Sequence, residues 1–183
     1  MWKFVVLIVL WEVVFHFTLK DRLLNYSLLN MPKVKPTQPL LMKLLAELGD
    51  KGGLGMVVLL CKHFRTNKEA FTAMIAFALT SAFNTTEKML RQEPRPYFLT
   101  EVAPLNCKDI EYGNPSGHAM VVTAVYLTIS SYVRGVLPKM LVIFVCLIVS
   151  LNRFYMGVHS YDQLLHGFVL GSLCSGVYTS YGF

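Results

Sequence analysis

Asn114-Pro115-Ser116-Gly117-His118, followed by the apolar run AMVVTAVYLTISSY from Ala119 to Tyr132, is the stretch on which the reading of this chain turns. Asn114 is a favoured helix N-cap, and Pro115 suits the first helical position because its missing N–H is not needed there. The N–H groups of Ser116 and Gly117 are then expected in the first turn, unsatisfied and pointing off the helix end. Such an end attracts anions through its free donors and the positive end of the helix dipole. Gly117 allows a ligand close to the backbone. His118 follows at once, a residue type that can titrate near neutral pH. The stretch reads as a phosphate cradle with a proton donor beside it. Alone it is also an ordinary turn before a helix, so two other stretches decide the matter.

The chain has 183 residues, of which 54% are hydrophobic and 15% charged. Its mean hydropathy is +0.48. A soluble domain carries about 25% charged residues. The apolar residues come in blocks near membrane-spanning length, which points to one all-α, polytopic membrane protein with small loops. The net charge is +6. The basic residues fall mostly between apolar blocks, so they read as flanks of membrane segments rather than as a nucleic-acid surface. The four cysteines, Cys61, Cys107, Cys146 and Cys174, have neither metal-site spacing nor the look of a disulfide framework.

In chain order, residues 1–19 predict a first membrane helix, on which Glu12 and His16 share a face read as packing or anchoring. No signal-peptide cleavage site is visible. Residues 20–37 mix charge with proline and read as a connector; Asn25-Tyr26-Ser27 has the form of a glycosylation acceptor. An N-terminal helix and connector are expected over 1–37 and a membrane domain over 38–183. Residues 38–63 predict a second helix interrupted at Gly49-Asp50-Lys51-Gly52-Gly53, with Asp50 and Lys51 near the site or at a membrane surface. Helices three to six follow over about 70–88, 115–133, 139–151 and 160–181, and Gly167 and Gly171 favour close packing of the last. The expected architecture is a six-helix transmembrane bundle.

Membrane helices alternate in direction. The end of helix three, the start of four, the end of five and the start of six must therefore meet at one surface. Lys88 and Arg95 sit at and just after the first of these ends, Ser116 to His118 at the second, and Arg153 and His159 at the others. Three cations, two of them arginine forks suited to phosphate oxygens, converge with two histidines. Pro94 and Pro96 restrict the backbone around Arg95. Phosphoryl transfer asks for charge stabilisation, a nucleophile and a leaving-group acid, and each has a candidate without a metal or other cofactor. A single cation at a helix end is most often an anchor; His16, His63 and His166 read as structural.

On these residues the chain resembles the type 2 phosphatidic acid phosphatase and haloperoxidase superfamily. Lys88-MLRQEP-Arg95-Pro96, Pro115-Ser116-Gly117-His118 and Arg153-FYMGV-His159 match the three parts of its signature in order and spacing. The resemblance covers roughly 38–181 and implies a six-helix core. It implies His159 as the nucleophile of a phosphohistidine intermediate, His118 as the leaving-group acid, and Lys88, Arg95, Arg153, Ser116 and Gly117 as phosphate-holding residues. Two positions depart from the pattern. Asn152 stands where Ser is usual, and Gln163 stands four after His159 where Asp is usual, with Asp162 one position early. Both i+3 and i+4 lie near His159 on a helix. Gln163 is the expected support for His159 by alignment and Asp162 the second choice; His-x-x-x-Gln is similar to glucose-6-phosphatases and dolichyl-diphosphate phosphatases.

The expected function is a membrane phosphatase acting on a lipid phosphate or diphosphate, of the phosphatidate, sphingoid base phosphate or polyprenyl diphosphate class. The alternatives are a non-catalytic membrane subunit that keeps the fold, and a phosphotransferase with an acceptor other than water. A soluble haloperoxidase does not fit the hydrophobic blocks. The noncatalytic Lys and Arg divide evenly between the two faces of the six-helix arrangement, so positive-inside counting gives no orientation. The resemblance implies a lumenal or extracytoplasmic site, in the endoplasmic reticulum or another endomembrane. The loop 97–113, with Tyr97, Phe98 and Tyr112, reads equally as a selectivity element and as interfacial anchoring.

Overall fold

The computed structural model of the chain describes residues 2–31, 39–64, 66–100 and 112–181. These residues form helices and no strand: α1 Trp2–Asn30, α2 Leu40–Gly49, α3 Lys51–Phe64, α4 Asn67–Arg91, α5 Gly117–Ser131, α6 Val136–Tyr155 and α7 Tyr161–Tyr181, with a 3₁₀ turn at Pro96–Phe98. The break between α2 and α3 falls at Asp50, where the sequence predicts an interruption. α2 and α3 stand where the sequence predicts one interrupted helix. Cys107 and most of the loop 97–113 lie outside the described residues, as do the side chains of Lys51 and Cys61.

α1 and α6 are long and apolar enough to cross a membrane by themselves, with mean hydropathies of 1.8 and 1.9. Their outer faces expose Val5, Val9, Leu10 and Val13 on α1 and Leu137, Met140, Leu141 and Phe144 on α6. Contiguous exposed apolar surface of this kind suits lipid, not water. α5 is apolar but only 15 residues long. The molecule is an all-α membrane protein; length and apolarity alone mark two crossings, and not the six expected.

α5 is the centre of the bundle. Ala119, Met120, Val122, Ala124 and Val125 are fully buried, as a helix surrounded on all sides requires. α7 lies against it through small residues. A Cβ on Gly167 would stand 2.7 Å from the Ser116 carbonyl oxygen, and one on Gly171 would run into the Met120 carbonyl. Such close backbone approach replaces the hydrophobic drive that lipid removes. Thr128 and Ser175 share a hydrogen bond of 3.1 Å across the same seam. Thr80 and Tyr178 share a hydrogen bond of 3.0 Å between α4 and α7. Tyr126 donates to the Leu48 carbonyl at 3.2 Å and ties α5 to the end of α2.

Three boundaries differ from the sequence reading. The charged segment after residue 19 is not a connector at first: α1 continues to Asn30 through a π turn at Phe15–Leu19. That turn leaves Phe15 buried and His16 exposed, so His16 does not share the inward face of Glu12. Within this helix Ser27 is buried and accepts from the Tyr161 N–H at 2.8 Å, while Asn25 and Tyr26 of the same tripeptide are exposed. α4 begins at a capping box, Thr66 with Glu69, and ends where Gln92 turns left-handed at φ 52. α6 extends to Tyr155 and so contains Arg153 in its last turn.

Gly171→Val is expected to lower the thermal midpoint in detergent, at a cost of about 1–3 kcal/mol for overpacking. Leu141→Ala, on the lipid face of α6, should change stability by less than about 0.5 kcal/mol.

Candidate active site

The helix ends open onto one cavity of about 590 Å³, whose wall includes Lys88, Arg95, Gly117, His118, Arg153 and His159. Lys88 comes from the last turn of α4 and Arg153 from the last turn of α6. Arg95 sits between Pro94 and Pro96 with φ −76 and ψ 154, extended as the residue before a proline must be. Gly117 and His118 form the first turn of α5. His159 lies between α6 and α7, where Gly157 at φ 70 lets the chain reverse. The remaining wall is mixed: Asp50 and Asn84 are polar, Leu54, Phe77, Met89 and Val121 apolar, and Tyr112 closes one side.

Gln163 is the hub behind this wall. Its Oε1 lies 3.0 Å from His159 Nδ1. Its Nε2 donates to the Pro94 carbonyl at 2.9 Å. Its own carbonyl accepts from the Ser116 N–H at 3.0 Å. One residue thus touches all three motif segments. Because Nε2 must face the carbonyl, Oε1 faces the imidazole and only accepts, so His159 carries its proton on Nδ1 and keeps the Nε2 lone pair. Asp162 does not share this position. It is buried, and neither of its carboxylate oxygens has a hydrogen-bond partner among the described residues. A carboxylate at 163 could not donate to Pro94, which is the physical reason an amide serves there.

The cradle is built differently from the sequence expectation. The N-cap of α5 is Ser116, not Asn114, and the Asn114–Pro115 peptide is cis. The Ser116 N–H is taken by Gln163, so it is not available to an anion. Ser116 is fully buried and stands outside the cavity wall, and its Oγ has no hydrogen-bond partner among the described residues. Gly117 and His118 are the parts of the motif that reach the cavity.

Sequence reasoning missed several supporting residues. A Cβ on Gly49 would fall 2.6 Å from His118 Cδ2 and 2.9 Å from Val149, so the glycine at the α2–α3 break makes room for the His118 ring. A Cβ on Gly113 would strike the Gln163 amide. Asn84 donates to the Pro115 carbonyl at 3.3 Å. Asn152 donates to the Met42 carbonyl at 3.1 Å and joins α6 to α2. Gly49 falls in the glycine-rich break and Asn152 at a departure from the family pattern, but the partner of each residue lies in a distant segment that the local sequence does not name.

Arg95 and His159 are only 2% exposed. Burial, then Arg95, Arg153 and Lys88, hold the His159 imidazole well below its ordinary value of 6.5, with the Gln163 hydrogen bond opposing. His159 is therefore neutral at pH 7. The assembled cations favour an anion of high charge in a setting of reduced dielectric. Among the described residues no three His, Cys, Asp or Glu side chains come together as a metal site.

The PAP2 superfamily matches residues 69–183. The undecaprenyl-diphosphatase of Sulfolobus acidocaldarius is 31% identical over 118 residues, 61% of this chain and 54% of that protein. The chain thus spans about half the length of this curated relative. Among solved structures, the transmembrane PAP2-type phosphatidylglycerolphosphate phosphatase of Bacillus subtilis aligns with a TM-score of 0.76 at 21% identity, over 99% of this chain and 96% of that one. LpxE of Aquifex aeolicus aligns with a TM-score of 0.73 at 21% identity, over 90% of this chain and 97% of that one. At this identity the two structures speak for the fold.

Two outcomes follow for the isolated protein. Gln163→Glu should lower the thermal midpoint, because two acceptors would then face each other at Pro94, a loss of about 1–3 kcal/mol. For His159 the folded chain resists a proton that the unfolded chain binds below about 6.5, so stability falls as pH drops through that value. His159→Ala should flatten the dependence of the thermal midpoint on pH between about 5 and 7 relative to wild type.

Proposed function

The chain belongs to the PAP2 superfamily, and we propose on that premise that it is a membrane phosphatase hydrolysing a lipid phosphate or diphosphate through a phosphohistidine intermediate. The observation that carries the reading is the single cavity that joins three cations, two histidines and an apolar wall. The cations bind the phosphoryl oxygens and stabilise charge that builds on them in transfer. The apolar side, with Leu54, Phe77, Met89 and Val121, suits the first part of a lipid chain next to its head group.

The chemistry divides into two displacements. The Nε2 lone pair of neutral His159 attacks phosphorus, and the bond from phosphorus to the leaving oxygen breaks as His118 gives that oxygen its proton. Water then attacks the phosphohistidine while His118 takes back a proton. The P–N bond breaks and inorganic phosphate leaves. Gln163 fixes the His159 tautomer throughout, without adding charge. Lys88, Arg95, Arg153 and the Gly117 backbone hold the phosphoryl group. Ser116 and Asp162 have no part in these steps.

A diphosphate substrate is favoured by the distant likeness to an undecaprenyl-diphosphatase, and a phosphate monoester by the fold likeness to a phosphatidylglycerolphosphate phosphatase. The family resemblance supports an extracytoplasmic or lumenal site. Phosphate release should be measured in lipid with phosphatidate, a sphingoid base phosphate, a polyprenyl diphosphate and glucose 6-phosphate. Release from a lipid substrate is expected, with His118→Ala slower by about 10²–10⁴-fold and no release from His159→Ala. A folded wild type that releases phosphate from none of them would overturn the reading in favour of a non-catalytic subunit or of transfer to another acceptor.

A further inference from the structure

A second polar cluster lies behind the cavity and contributes none of its lining. Glu12 of α1 lies with Oε1 3.0 Å from His166 Nε2 and pairs with Arg91 through Oε2. His166 Nδ1 donates to Asn114 Oδ1 at 2.8 Å. Asn114 Nδ2 donates to Glu93 Oε2 at 2.8 Å. Glu93 also pairs with Lys20 of α1 at 2.8 Å and lies 3.9 Å from Arg91, which donates to Glu87 at 3.0 Å. The run of contacts joins the first helix to the residue that opens the cradle.

The direction of the Asn114 hydrogen bonds is determined. An ionised carboxylate only accepts, so Asn114 presents its NH₂ to Glu93 and its carbonyl oxygen to His166. His166 Nδ1 then donates to Asn114, and Nε2 lies within hydrogen-bond reach of Glu12. Glu93 pairs with Lys20, and Glu12 and Glu87 pair with Arg91. The His166 ring is fully buried and stacked on Phe15 with centroids 4.2 Å apart and planes 22° apart, which sets its orientation. Phe15 reaches it from the π turn of α1.

We propose that Glu12, acting through His166 and Asn114, is a positioning residue for the turn Pro115–His118, so that α1 belongs to the support of the site and not only to its anchoring. The proposal rests on the phosphatase reading for its kinetic consequence. Both ends of the Asn114 amide are committed, one to α7 and one to the segment that carries Arg95. Asn84 of α4 holds Pro115 and Gln163 of α7 holds Ser116, so the turn is held from two helices directly. Removing the Glu12 carboxylate leaves the buried ring without its partner on that side, and a buried ring nitrogen so stranded seeks another partner. Asn114 is its neighbour on the other side, and displacement there moves His118, four residues on. Small displacements of a catalytic group are costly because transfer needs aligned, closely spaced atoms.

The test uses the full chain in lipid, as wild type, Glu12→Ala, His166→Ala and the double variant. On the substrate that the wild type hydrolyses, each single variant should lose about ten- to a hundredfold in kcat per folded molecule, with KM changed by less than about threefold. The double variant should lose no more than either single one, because both cut the same relay. A role confined to stability would lower the thermal midpoint and leave kcat per folded molecule unchanged, and that result would overturn the proposal. A second readout does not need turnover. With ¹⁵N-labelled histidine, Glu12→Ala should shift the ring signals of His118, which has no contact with Glu12; unmoved His118 signals would sink the idea. If the wild type releases no phosphate, the phosphatase reading fails by itself, and the His118 signals alone decide the relay.

Discussion

The site depends on one side chain that forms two hydrogen bonds at once. The Gln163 amide accepts from His159 and donates to the Pro94 carbonyl, while its backbone accepts from Ser116. A group that both donates and accepts joins two segments that would otherwise present like groups to each other. The position of Arg95 relative to His159 follows from it, as does the start of α5. Gly113 leaves the space this amide fills. An aspartate in its place would add charge near His159 and would lose the link to Pro94, so the departure from the usual residue is compensated within the same hydrogen-bond set.

The bundle serves this arrangement through close approach. Gly167 and Gly171 bring α7 onto the backbone of α5, and the contact point at Gly167 is the Ser116 carbonyl itself. Packing and site geometry are thus one constraint. Buried charge in a membrane protein is costly unless matched. Here the cations of the cavity suit a phosphate, while Lys20 and Arg91 pair with Glu12, Glu87 and Glu93 in a cluster behind it. The first helix, mostly exposed along its apolar face, turns Trp11, Glu12 and Phe15 toward His166. Its role is therefore polar as well as hydrophobic.

Much of the fold and of the cavity was legible in the chain. Apolar blocks with polar ends determine helices whose ends meet at one surface, because membrane helices alternate, and so Lys88, Arg95, His118, Arg153 and His159 were identifiable by spacing and order. The interruption at Asp50 was also legible, since glycines and charges break an apolar helix. Tertiary structure decided the rest. It made Ser116 the cap and took its N–H for Gln163, gave the place on His159 to Gln163 and not Asp162, carried α1 on to Asn30, and drew His166 into a cluster with Glu12 and Asn114. The physical reason is common to all four. Periodicity and helix direction are local properties, whereas a hydrogen-bond partner is chosen by which donors and acceptors packing brings within 3 Å or so, and those partners lie up to 154 residues apart in the chain.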